Sequence, residues 1–320
     1  MIITNDDAIQ YLFERKNDEE ESRSVYWEYH VREFTIDLDG IIHGNSTLGS
    51  APKARSFLRR FVHRLMQAPV RKLGSHYKHA KESDKKGRQI AARQGRLYNG
   101  DFLRHSLTLA LILEHIDITE PGDAILVIGD GFGTMSSLFL EAAPKRKVLL
   151  SNLTKPLCLD LLYIRKAFPD ISIAVARNDE ELTQALADDN IQVIGVQADN
   201  AALLTRAPIG LAVNVVSMQE MDISIVSRYF DILRNNPASK TAFYCCNRRY
   251  KISNFEEYPW SGDDRIIENG MCAWSQFYYD LTPPFWHHRD QDQKAVWHRL
   301  AFLSKTASPI SSDRAEKSNT

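Results

Sequence analysis

Gly129, Gly131 and Gly133 stand at alternate positions between the apolar run Ala124-Ile-Leu-Val-Ile128 and the stretch Thr134 to Leu140. The run reads as a buried parallel strand, and the stretch as the first turns of a helix. A strand, a glycine-rich turn and a helix bring bare backbone up to a ligand at a helix N-terminus. Gly129 permits the tight turn. Gly131 and Gly133 lack the side chains that would block a nucleotide-sized cofactor, and Asp130 lies between them and the strand. The dinucleotide fingerprint needs G-x-G-x-x-G, with its third glycine facing the helix. Here the pattern is G-x-G-x-G, followed by Thr134.

Further polar residues stand where strands are expected to end. Lys147-Val-Leu-Leu-Ser-Asn152 is a second short apolar strand. It falls about twenty residues after the glycines, where a nucleotide fold places its ribose-binding side chain. Ligands of open α/β sheets lie outside the carboxyl ends of the strands. Asn152 ends its strand and offers one acceptor and two donor hydrogens. A neutral hydrogen bond contributes about 1 kcal/mol net, against about 1.5–3 for a charged acceptor. Asp199, in Gln197-Ala-Asp-Asn200 after the strand Ile191 to Val196, is placed to meet an adenine amine. The strand Ile171 to Ala176 competes for the same neighbouring position. Asn214 lies near the end of the strand Leu211 to Val216, beside the expected cleft.

The elements that must hold these residues follow from the alternation of short apolar runs with helical spacing. Helices are expected at Asp6 to Phe13, within 52–73, and at Asp101 to Ile116, Lys155 to Phe168, Glu180 to Ala187 and Ser224 to Arg234. Thr241 to Cys246 and Trp297 to Leu303 read as late strands. This is an α/β pattern with a parallel sheet and helices on both faces. The division expected is an extension over 1–97, a cofactor-binding domain over 98–303 and a frayed tail over 304–320. Lys72 to Arg96 is strongly basic and reads as a solvated segment, with a sulfated or phosphorylated acceptor as its chemical use.

The 320 residues are 43% hydrophobic and 25% charged, with a net charge of -1. That balance gives no global attraction to nucleic acid or to an anionic membrane. No apolar run reaches membrane-spanning length and MIITNDDAIQ lacks a signal-peptide pattern, so a cytoplasmic location is expected. Cys158, Cys245, Cys246 and Cys272 match no zinc spacing and read as reduced structural thiols, and no metal is expected.

The segment Asn214-Val-Val-Ser-Met-Gln-Glu-Met221 has the form N-x-x-S-x-Q-E-M and precedes a helix carrying Tyr229-Phe230. Together with Leu157 to Ile164, Phe243 to Arg248, Glu257-Tyr-Pro-Trp260 and His298-Arg-Leu300, it resembles the sugar O-methyltransferase family over about residues 98–303. The glycine spacing resembles the first motif of class I S-adenosylmethionine methyltransferases. The resemblance implies a Rossmann-like sheet with helices on both faces, and the residues before it are expected to form a largely helical N-terminal extension. It implies S-adenosyl-L-methionine as cofactor and methyl transfer to a hydroxyl of a sugar or glycosylated small molecule. The partner is then a small-molecule acceptor, not nucleic acid or membrane, and a homo-oligomer is compatible with it. Gly129, Asp130, Gly131, Gly133, Asn152, Asp199 and Asn214 become the cofactor-binding set. Two positions depart from the pattern: Val127 stands where an acid normally precedes the first glycine, and Asn152 replaces the ribose-binding acid.

Methyl transfer from a sulfonium depends on positioning, and a base near a sugar hydroxyl contributes about 10²–10⁴-fold. Glu220 is the first candidate base, with Gln219 beside it for the substrate. Asp222 is placed to cap the next helix. Pro283-Pro284-Phe285-Trp286 is an aromatic loop in which Trp286 can stack on a sugar ring and His287 or His288 can supply an imidazole. Two other readings stay open. A nucleotide-dependent oxidoreductase would share the glycine turn but lacks the third glycine. A non-catalytic binding protein that keeps the fold would explain Val127 and Asn152.

Overall fold

The computed structural model describes residues 2–22, 34–39, 41–44, 57–280 and 295–305. In chain order they form β1 (Ile3–Thr4), α1 (Asn5–Arg15), β2 (Phe34–Ile36), β3 (Ile42–Gly44), α2 (Phe57–Met66), α3 (Ala68–Leu73), α4 (Ala80–Arg93) and α5 (Gly100–His115). Then come β4 (Ala124–Ile128), α6 (Thr134–Ala142), β5 (Val148–Asn152), α7 (Thr154–Ala167), β6 (Ile173–Val175), α8 (Asp179–Ala187), β7 (Val193–Gln197) and β8 (Ile209–Val215). The last elements are α9 (Ile223–Asn235), β9 (Thr241–Arg248), β10 (Arg265–Met271), α10 (Ala273–Asp280) and β11 (Val296–Leu303). Short 3-10 turns occupy Ala198–Arg206, Met218–Glu220 and Phe255–Glu257.

Nine strands make one sheet in the order β1-β6-β7-β5-β4-β8-β9-β11-β10, and β2 with β3 forms a separate hairpin. From β6 to β9 the strands are parallel. β1 joins one edge antiparallel, and β11 and β10 close the other edge antiparallel. The two-residue period of a strand sends alternate side chains to opposite faces. Ile125 and Val127 of β4 therefore enter a core shared with α1 and α4 to α7. Ala124, Leu126 and Ile128 enter a second core with α8, α9 and the Ala198–Arg206 turn. This is a doubly wound, Rossmann-like α/β sheet. Burial on both faces is why β4 reads as an unbroken apolar run. Strand order reverses at β4, which pairs with β5 on one side and β8 on the other, and open α/β sheets bind their ligands outside the carboxyl ends at such a point.

The basic segment departs from expectation. Within Lys72 to Arg96 the structure has α4, fourteen residues long, with Ala80, Ser83, Gly87, Ile90 and Ala91 buried on one side. Its charged residues are at least partly solvated except Asp84, which is buried, and small residues let the helix lie closely on α5. A side chain at Gly87 would run into Ser106 and Tyr98. Ala8, Ile9 and Leu12 of α1 share the same core as α5, so residues before 98 pack against those after it. β10 is a strand the apolar pattern does not announce. The aromatic loop with Trp286, His287 and His288, the aromatic cluster Tyr26 to His30, and the tail from 306 onwards lie outside the described residues.

Candidate cofactor cleft and acceptor site

The glycine turn follows β4 with all three glycines in left-handed backbone: Gly129 at φ +69°, Gly131 at +89° and Gly133 at +59°. That conformation costs an L side chain and not glycine. Their surroundings differ. A Cβ on Gly129 would meet the Ser217 hydroxyl, and one on Gly133 would stand 2.6 Å from the Asp160 carbonyl oxygen and against Ile164. A Cβ on Gly131 would have nothing within 4 Å. Gly131 therefore faces open space. The bare Cα of Gly133 makes room for α7, where the spacing alone suggests room for a ligand.

Two carboxylates shape the turn. Asp130 accepts from the Met135 amide at 2.9 Å and the Ser136 amide at 2.7 Å, so it caps the first turn of α6. An acid there satisfies two orphan donors and sits at the positive end of the helix dipole. Asp160 of α7 lies beneath the turn, fully buried. Its Oδ1 accepts from the Gly133 amide and its Oδ2 from Asn152 Nδ2, both at 2.9 Å. Burial, reinforced by the nearby Asp130 charge, pushes its pKa well above the usual carboxylate range. The sequence carried a signal for Asp160, an acid inside the apolar run Leu157 to Ile164, that motif reading passed over.

Other strand-end candidates are tied into the protein. Asn152 donates to Asp160, and its Oδ1 accepts from the Leu153 amide at 3.0 Å. Asn214, fully buried, donates to the Ile128 carbonyl at 2.9 Å and accepts from the Met218 amide and from Asn247 Nδ2. Gln219 accepts from the Arg248 amide at 2.8 Å, and its own amide donates to Asn247 Oδ1. These amides brace the ends of β4, β8 and β9. Glu220 accepts from Lys251 Nζ at 2.6 Å. Asp222 takes the N-cap place of α9, but its side chain makes no capping bond. Between Asn214 and Gln219, Val216 adopts φ +66°, a conformation rare for a β-branched residue. Its amide donates to the Cys246 carbonyl at 2.7 Å, which helps hold the strained turn beside Gly129.

An N-terminal arm crosses the ends of β5 and β7. Asp199 accepts from the Glu21 amide at 2.9 Å and the Ser22 amide at 2.6 Å. Glu20 Oε1 accepts from the amide and hydroxyl of Thr154, the first residue of α7, both at 2.9 Å. Gln197 links Thr154 to α1, donating to Thr154 Oγ1 at 2.6 Å and accepting from the Tyr11 hydroxyl. Burial raises the Glu20 pKa to about 7, with Asp199 and Asp18 adding to the rise and the Thr154 bonds opposing it. The arm thus brings a carboxylate to the region where Asn152 offers none.

On the other side of the turn, α5 presents Asp101, Arg104 and His105, spaced so that they share one helix face. Arg104 pairs with Asp101. His105 Nδ1 lies 2.8 Å from the Asp101 carbonyl oxygen, which fixes that nitrogen as the donor and leaves Nε2 as the lone-pair nitrogen. Burial lowers the His105 pKa, opposed by the Asp101 and Asp130 charges. Arg96 stands beside them, donating to Thr134 Oγ1 at 3.1 Å, with its guanidinium 4.4 Å from the Phe132 ring centroid. The sequence reading treated α5 only as an amphipathic helix. The signal it missed is a polar triplet on a helix whose residues 102–112 are all buried.

No protein-family model matches the chain, and no curated protein matches it. Solved structures of similar shape do exist. One is phosphoethanolamine N-methyltransferase 2 of Haemonchus contortus in complex with phosphomonomethylethanolamine and S-adenosylhomocysteine, at 14% identity and TM-score 0.38, covering 70% of this chain and 58% of that one. A second is a TehB-like S-adenosylmethionine-dependent methyltransferase from Corynebacterium glutamicum, at 15% identity and TM-score 0.37, covering 71% of this chain and 98% of that one. A third is an arsenic(III) S-adenosylmethionine methyltransferase from Chlamydomonas reinhardtii, at 13% identity and TM-score 0.35, covering 61% and 67%. The chain spans a little over half the length of the Haemonchus contortus enzyme, 58% in that complex and 52% in its complex with S-adenosyl-L-methionine. Likeness at this level assigns no residue a role.

Proposed function

We propose that the chain is an S-adenosylmethionine-dependent methyltransferase that methylates a hydroxyl of a sugar or glycosylated small molecule. The observation that carries the reading is Gly131: a left-handed glycine with open space where a side chain would stand, at the carboxyl end of β4 where strand order reverses. The cofactor, when bound, supplies an activated methyl on a good leaving group. The chain's part is to hold it and to orient the acceptor. Gly129 and Gly133 fix the turn, Asp160 holds it from below, and Asp130 anchors α6 behind it. Asn152, Asp199 and Asn214 act as supports around the cleft. Direct contacts from their side chains to a ligand would exchange bonds they already make.

For the acceptor, the described residues offer two bases. Glu220 stands after β8 with Gln219, and taking up a proton there would give up its ion pair with Lys251. His105 has one nitrogen fixed as donor, and its lowered pKa leaves it neutral and ready to accept a proton near pH 7. His287, His288 and Trp286 complete the proposed acceptor set.

Calorimetric titration with S-adenosylhomocysteine, NAD and NADP in parallel tests the reading. S-adenosylhomocysteine should bind and the dinucleotides should not. Gly131→Val should abolish binding. At φ +89° a valine costs about 1–3 kcal/mol of backbone strain, so binding is read on protein shown to be folded. Binding of a dinucleotide alone would transfer the site to an oxidoreductase. A second reading, a non-catalytic protein retaining the fold, is favoured by the engagement of Asp130, Asn152, Asp199 and Asn214 within the chain. Absence of binding to all three ligands would select it.

A further inference from the structure

A cavity of about 350 Å³ opens between α2, α3, α4 and the link into α5. That is within the range of small-molecule pockets, roughly 300–1,000 Å³. Four arginines line it, Arg64, Arg71, Arg88 and Arg96, and no acid does among the described residues. One carboxylate stands just behind the wall. Asp84 accepts from Arg71 Nε at 3.3 Å and pairs with Arg88 Nη2 at 2.9 Å. Arg71 also donates from Nη1 to the Arg64 carbonyl and from Nη2 to Gln67 Oε1, so each of its nitrogens is engaged and it acts as a brace. Arg96 is occupied with Gln94 and Thr134 and is buried among aromatic rings. Arg64 has no side-chain partner among the described residues, and Arg88 has Asp84 alone.

With Arg96 set aside because its donors go to Gln94 and Thr134, Arg64, Arg71 and Arg88 bring three charges to the cavity and Asp84 offsets one, which leaves two uncompensated. A phosphate ester carries about -1.5 to -2 near neutral pH. Guanidinium donors suit its planar pairs of oxygens. Ala91, Leu97 and the Tyr98 ring give the rest of the wall an apolar character suited to the body of a small organic molecule.

We propose that this cavity binds the phosphate group of a phosphorylated small molecule, with Arg64 and Arg88 as its donors. The site lies outside the glycine cleft, meets it at Arg96, which bonds Thr134 and lies over the Phe132 ring, and does not depend on the methyltransferase reading.

Titration calorimetry with inorganic phosphate and glucose 6-phosphate, with glucose as the uncharged control, tests it. Both phosphates should bind and glucose should not. Replacing Arg64 and Arg88 together by alanine should weaken both phosphates at least tenfold, with Asp84 still held by Arg71 and by Tyr98. Ala92→Glu, at an exposed position of α4 on the cavity wall, should weaken them similarly while every arginine stays. Gly131→Val should leave phosphate binding unchanged. The proposal fails if neither phosphate binds at millimolar concentration. It fails equally if both variants bind as the parent does, or if glucose binds as tightly as glucose 6-phosphate.

Discussion

Asp160 accepts the Gly133 amide with one oxygen and the Asn152 amide with the other. Replacing it by alanine strands both donors in a buried place, at a cost of about 1–3 kcal/mol each. Asp160→Ala should therefore lower the midpoint of urea unfolding and weaken S-adenosylhomocysteine binding, while Asp160→Asn should lose less of both. A parental midpoint in Asp160→Ala would mean that the turn needs no brace. For the acceptor base, single-turnover rates of His105→Ala and Glu220→Gln discriminate once an acceptor is found. Loss of the true base should cost about 10²–10⁴-fold at unchanged cofactor affinity. Near-parental rates in both would move the role to His287 or His288. The residue types at this site were legible in the sequence, but their directions were not. An asparagine ending a strand offers the same donors and acceptor to a ribose as to a carboxyl on the next helix. Only the distances from Asn152 to Asp160, and from Asn214 to Ile128 and Asn247, show where those groups are spent.

The arm that carries Glu20 should dock with a pH dependence of defined sign. Its carboxyl has a pKa of about 7 when docked against 4.5 as the ordinary value, so the docked arm binds the proton more tightly than the free arm. Docking is then most favourable below the ordinary value and weakens as pH rises through 7. Hydrogen exchange at the Glu21 and Ser22 amides, corrected for intrinsic rates, should show more protection at pH 6 than at pH 8. Glu20→Gln should flatten the difference, and equal protection at both pH values in the parent chain would refute the latch. Elements differed in how openly the sequence declared them. β4 and β5 are buried on both faces and read directly as apolar runs. β10, Arg-Ile-Ile-Glu-Asn-Gly-Met, is largely solvent-facing with an irregular register and carries no such pattern. α4 packs through alanine, serine and glycine, so close helix contact left no apolar stripe to read.

Across the whole molecule, a ligand that binds only the folded state should stabilise it by RT ln(1 + [L]/Kd), about 2.7 kcal/mol at a hundredfold excess over Kd. S-adenosylhomocysteine should thus raise the unfolding temperature of the parent chain and leave Gly131→Val where it is. An equal shift in both would place the ligand elsewhere. The sheet also orders events in time. β1 pairs with β6, and the Asn5 side chain beside it accepts from the Ile173 amide, 168 positions along the chain. Ribosomes add about 5–20 residues per second. The arm therefore waits on the order of ten to thirty seconds after its own synthesis before its docking edge has been made. By the end of that interval β4, β5 and the helix α6 between them have been made. The edge that receives β1 is thus made before the cleft is complete, because β7, which joins β6 to β5, and β8, which carries Asn214 to the cleft, follow β6 along the chain.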